Sequence, residues 1–171
     1  TWEFPVSYKI VEDAIPSKMT DLHNASLLEP FKVAAKELVA EGVSGITTTC
    51  GFLSIYQNEL ADHCGVPVAS SSLLQVPFAQ TIIGTKKRVG VMTYNGSVLQ
   101  GPYLEAVDVP QDTPVKGMPQ NSEFVRWIND GDVSISFDTL REEALVAARE
   151  FQAEHPDLGA IVLECTNLAP F

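Results

Sequence analysis

Two runs of the chain, Val89-Gly90-Val91-Met92-Thr93 and Ala160-Ile161-Val162-Leu163, are apolar without alternation. Such a run suits a strand buried on both faces, which requires helices above and below it. Between and before these runs the apolar residues fall at helical spacing. The segment Ser26 to Val39 is one such stretch, with Pro30 in its first turn and Gly42 where a C-terminal cap belongs. A longer helix is expected from Thr139 to Glu154, with Thr139 and Glu142 at capping-box spacing. Strands alternating with helices read as an α/β fold, parallel sheets flanked by helices.

A strand is expected over Pro5 to Val11, another over 43–49, a helix over about 52–62, and a short strand over Val66 to Ala69. A helix then runs from Ser72 to about Ile83, and Val115 to Met118 is a weak strand. Phe124 to Ile128 reads as a short helix. Asn95 or Ser97 is placed to cap a helix after the strand at 89–93. The pattern divides into two lobes, 1–84 and 85–171, pseudosymmetric in that each has a strand that ends in a cysteine. The first lobe lacks an opening strand before Thr1 and the second lacks a C-terminal cover after Phe171, so a longer polypeptide is expected.

Charge narrows the function classes. The 171 residues carry a formal charge of −11, and Lys86-Lys87-Arg88 is an isolated basic run at a strand entrance. Nucleic acid is therefore not an expected partner. No apolar stretch reaches the roughly 20 residues that span a bilayer, so no membrane partner is expected either. Three cysteines without metal-ligand spacing argue against a disulfide framework or a metal site, and fit a reducing cytoplasm. A homo-oligomer is left open.

The chemistry lies in Thr47-Thr48-Thr49-Cys50-Gly51-Phe52 and Glu164-Cys165-Thr166-Asn167. Each cysteine ends an apolar strand and enters a turn, where free backbone N–H groups favour thiolate. Ligands in open α/β sheets bind at the carboxyl ends of strands, which puts both thiols across one cleft between the lobes. Two thiols on opposite faces of a carbon acid can move its α-proton without a cofactor, one taking it as thiolate and the other donating. Taken singly, either cysteine would read as a small buried hydrophobe, and Cys64 retains that reading.

These two motifs resemble those of the aspartate/glutamate racemase superfamily, which includes hydantoin racemases, maleate isomerases and arylmalonate decarboxylases. The resemblance covers most of the chain, including the strand at 89–93. It implies a cofactor-independent isomerase, a racemase or epimerase of an amino acid or related carboxylate, with two α/β lobes around the site. Cys50 and Cys165 match the acid/base pair, and Thr166 a substrate-binding threonine. Thr49 and the Gly51 N–H are further carboxylate contacts, with Thr93 and Asn95 on the neighbouring strand-end loop.

Gly51-Phe52 stands where glutamate racemases typically have Asn-Thr, which turns the expectation away from free glutamate. A decarboxylase is disfavoured, because arylmalonate decarboxylases retain only the second cysteine. A maleate-type cis-trans isomerase and a non-catalytic small-molecule binder are the alternatives. Thr47 and Thr48 are left to β-propensity, Lys116 and the three histidines to ordinary surface or core roles. Glu164, beside Cys165 on a buried strand, is expected to face a polar partner or to support the site from behind the residues that touch substrate.

Overall fold

The computed structural model describes residues 3–21 and 25–171; His23, which carried no functional expectation, lies outside them. The helices are α1 (Pro16–Met19), α2 (Leu28–Ala40), α3 (Gln57–Cys64), α4 (Gln75–Ile83), α5 (Pro102–Glu105), α6 (Glu123–Asp130) and α7 (Phe137–Glu154). The strands are β1 (Ile46–Thr47), β2 (Val68–Ala69), β3 (Arg88–Thr93), β4 (Val115–Gly117) and β5 (Leu158–Leu163). They form two parallel sheets, β1-β2 and β4-β3-β5. Parallel neighbours need crossovers, and helices supply them.

β3 is central in its sheet and buried from Val89 to Thr93, as its uninterrupted apolar run requires. A Cβ at Gly90 would collide with the Phe151 ring of α7, so glycine lets that helix settle on the strand. β5 departs from the expectation of two covered faces. Ile161 and Leu163 are exposed, beside exposed Phe78 and Ile82 of α4. As an edge strand, β5 has a ladder partner on one side only among the described residues.

Two core clusters hold the chain. One joins Leu53, Leu73 and Val76 to Val89, Val91, Leu104 and Val162, so it draws on residues from both sides of position 84. The other packs α6 and α7 onto Met92 and Leu168.

Several local expectations need correction. Residues 5–11 form no strand among the described residues; Tyr8 and Ile10 are exposed, and Lys9 instead ties the segment to α2 through Glu37 (3.2 Å) and Glu41 (2.8 Å). The strand expected over 43–49 shrinks to two residues. Thr47 and Thr48 spend their hydroxyls on the Ala69 and Ser70 carbonyls (3.0 and 2.6 Å), stitching the neighbouring segment by side chain where the ladder stops. The helix after Cys50 begins as a 3-10 turn over Gly51–Tyr56 before becoming α3. The cap of α7 is Ser136, whose Oγ accepts from the Thr139 N–H at 3.1 Å, so the cap stands three residues earlier than the Thr139–Glu142 spacing indicated. Asn95 accepts from the Ser97 N–H and hydroxyl in its own turn and caps no helix.

Candidate active site

The chemistry-bearing residues gather at the carboxyl ends of the strands. β3 ends at Thr93, β5 runs into Glu164 and Cys165, and Cys50 follows β1 by three residues. Ser72, on the turn after β2, donates to the Leu163 carbonyl at 2.7 Å and ties the first sheet's strand-end turns to β5. The two cysteine loops touch directly. Thr166 donates its hydroxyl to the Thr49 carbonyl at 2.7 Å, joining the residue before one cysteine to the residue after the other.

Beneath that clasp lies Glu164, 1% exposed. Its Oε2 accepts from the Thr93 hydroxyl at 2.5 Å, while Oε1 is buried without a hydrogen-bond partner among the described residues. The carboxyl lies against Gly51, where an added Cβ would fall on Oε1. The Gly51-Phe52 pair therefore has a local cause. Glycine makes room for a buried carboxyl, and Phe52, itself buried, stacks edge-on against Tyr103 at 5.1 Å.

Burial dominates the electrostatics. It lifts the Glu164 carboxyl to about 7, the Thr93 hydrogen bond pulling the other way. Cys50 is pushed up to about 12, first by burial and then by the charge of Glu164, with the Phe52 N–H opposing and Cys165 adding a smaller repulsion. Cys165 rises to about 11, mainly by burial, with Glu164 adding to it. The Asn167 and Leu168 N–H groups and the Asn167 side chain favour its thiolate. The cysteines thus feel each other and the same carboxyl. Burial and the shared carboxyl keep the proton on both thiols at neutral pH.

Each expected residue now has a place. Cys50, Gly51 and Cys165 meet around Glu164, and Thr93 joins them through its hydrogen bond to that carboxyl. Thr49 and Thr166 have exposed side chains beside the thiols. Asn95 is not drawn in: its side chain closes a turn, and Gly96 packs backbone to backbone on Gly117 of β4, on the side away from β5. Lys116 pairs with Glu154 (2.7 Å) and Glu150 (3.5 Å) of α7. Cys64 is buried at the end of α3. Asn167 is a donor to Cys165 that sequence reasoning missed, and its only signal was adjacency to the motif. Among the described residues no group of three His, Cys, Asp or Glu is disposed to hold a metal ion. No helix there is long and apolar enough to cross a membrane.

No family model matches the chain. Among curated proteins it is 30% identical over 183 residues to a dimethylsulfoniopropionate lyase of Durusdinium sp. clade D, covering the whole chain and 59% of that protein. To dimethylsulfoniopropionate lyase 7 of Emiliania huxleyi (strain CCMP1516) it is 28% identical, over 82% of the chain and 44% of the relative. The chain thus spans about half the length of these relatives. Among solved structures it is similar to a mutant of arylmalonate decarboxylase in a sulfate ion associated form. That match has a TM-score of 0.54 at 18% identity, over 85% of this chain and 62% of the other. A second arylmalonate decarboxylase structure matches with a TM-score of 0.52 at 17% identity, over 83% and 62%. The chain has this α/β fold. The curated relatives are named as lyases, and the structures of like fold as a decarboxylase, rather than as racemases.

Proposed function

We propose that the chain carries a cofactor-independent carbon-acid site in which Cys50 and Cys165 handle the proton α to a substrate carboxylate. The observation that carries this reading is the clasp of the two cysteine loops, Thr166 to Thr49, over one buried carboxyl. It joins two cysteine-bearing loops that sequence keeps far apart, which supports a shared site. Thr49 and the Gly51 N–H are the groups we assign to the substrate carboxylate, with Thr166 holding the Thr49 loop in place beside them.

The lyase relatives favour elimination as the outcome. With dimethylsulfoniopropionate as substrate, a thiolate takes the α-proton, and the C–H electron pair becomes the new C=C bond. The bond from the β-carbon to sulfur breaks, and its pair leaves with dimethyl sulfide. The products are acrylate, dimethyl sulfide and a thiol, which returns its proton to solvent. A positively charged sulfonium is a good leaving group, and no electron sink beyond the carboxylate is required.

Racemisation shares the proton abstraction and differs in the fate of the resulting carbanion. The presence of a thiol on each loop favours it as the second reading, because the second thiol can reprotonate the opposite face.

The test is to supply dimethylsulfoniopropionate to the purified protein in deuterated water, with headspace gas and proton spectra monitored together. Dimethyl sulfide and acrylate should appear in equal amounts, and fall at least ~100-fold in Cys50→Ser and in Cys165→Ser. Release undiminished in the double serine variant would overturn the thiol mechanism. Exchange of the α-hydrogen of amino acids or hydantoins without sulfide release selects the racemase. Absence of both reactions leaves a small-molecule binding protein.

A further inference from the structure

Glu164 is the one fully buried charge-bearing side chain of the site, and proton transfer by the two thiols gives it no task. Its position is constrained from three sides. Thr93 of β3 donates to Oε2, the Gly51 backbone closes on Oε1, and the main chain continues directly into Cys165. A structural carboxyl in such a place would be expected to have both oxygens satisfied. Here Oε1 has no partner among the described residues and lies beside the loop that carries Cys50.

We propose that Glu164 is the positioning residue of the thiol pair: its carboxyl carries the site's negative charge at rest and takes up a proton when a cysteine becomes thiolate. The step is an exchange within the site. An S–H bond breaks with its electron pair left on sulfur, an O–H bond forms at Oε1, and the total charge stays at −1. Forming a thiolate beside a carboxylate would put two negative charges in one dry space, whereas the exchange keeps one. Thr93 holds the carboxyl in place in both forms.

The electrostatics agree with the geometry. The Glu164 carboxyl, at about 7, is poised to hold or release a proton near neutrality, and its charge opposes ionisation of both Cys50 and Cys165. The groups that face it are Cys50 from the turn after β1, Cys165 on its own segment, Thr93 from β3 and the Tyr103 phenol from α5. Tyr103 is itself pushed up to about 12, chiefly by burial, and stays neutral through the relevant range. Carboxyl and thiols therefore titrate as one coupled set.

The inference rests on the reading that thiolates do the chemistry, but its test needs no substrate. In a Cys64→Ser background, each thiol is isolated by Cys50→Ser or Cys165→Ser, and its alkylation by iodoacetamide is measured against pH. Glu164→Gln should move the alkylation midpoint of both thiols down by about one pH unit or more. Thr93→Val removes the bond that favours the carboxylate, so it should raise the alkylation rate at pH 8, well below the midpoint, where a proton exchanged onto Oε1 supplies the thiolate, but not when Gln already stands at 164. That non-additivity is what a purely structural role would not produce. Midpoints that stay or rise in Glu164→Gln overturn the proposal, as does an equal Thr93→Val effect in both backgrounds. If the Gln variant fails to fold, the Thr93→Val rate at pH 8 decides alone: faster alkylation supports, unchanged or slower overturns. A lyase assay that fails while the midpoints shift removes the substrate reading and leaves this one standing.

Discussion

At Gly51 a hydrogen stands where any other residue would drive carbon into the Glu164 carboxyl. That carboxyl cannot step aside, because it is buried and bonded to Thr93. Gly51→Ala should therefore cost about 1–3 kcal/mol of stability, the usual penalty for overpacking a filled site, read as a lower urea midpoint. Thr93→Val keeps the shape and removes the donor. It should cost about 1–3 kcal/mol when measured at pH 8, where the carboxyl is ionised, and less at pH 5. The placing of the two cysteines and their threonine neighbours at strand ends was legible in the sequence, because an apolar run that stops at a turn is a local signal. The partnership of Gly51 with Glu164 was not, since nothing local signals a contact between segments so far apart. Glu164 stands out in the sequence only as an acid on an apolar strand, and the site role expected of Asn95 is absorbed by its own turn.

Elements were legible where periodicity runs long. β3, β5, α4, α6 and α7 stand close to where their apolar patterns put them, because burial of a face dominates over several turns or pleats. Short elements escaped. β1 is two residues because threonine side chains replace ladder bonds there, and residues 5–11 carry strand-like composition but are tied by Lys9 to α2 instead of to a strand. The start of α7 shows how a cap decides between near-equal candidates. Thr139 and Glu142 had the spacing, but Ser136 has the hydroxyl on the Thr139 N–H. Ser136→Ala should destabilise by about 1 kcal/mol, while Thr139→Ala should cost less, both read from thermal melts. Packing of α7 on β3 depends on Gly90. Its replacement by Ala would press on Phe151, which is 1% exposed, and should cost more than the cap change.

For the molecule as a whole, the buried carboxyl makes stability depend on pH in an unusual direction. Its folded value of about 7 lies above the ordinary 4.5, so between those values the folded state holds more protons than the unfolded state. Stability from this group is therefore full below about 4.5, falls as pH rises through 7, and stays low above. Glu164→Gln should remove that slope. Against wild type it should gain on the order of 2–3 kcal/mol at pH 8 relative to pH 4.5, from paired urea curves. The bond from Thr166 to Thr49 spans 117 positions of the chain. Contacts of such separation close late in folding, after local helices and turns. Until β5 docks, Cys50 has no second thiol beside it and no acid beneath it, so nothing holds its proton on. Pulsed alkylation during refolding should find Cys50 labelling as an ordinary solvent thiol until the last strand is in place, and far more slowly afterwards, because the folded site buries it and raises it to about 12. The step that completes the sheet is the one that shields it.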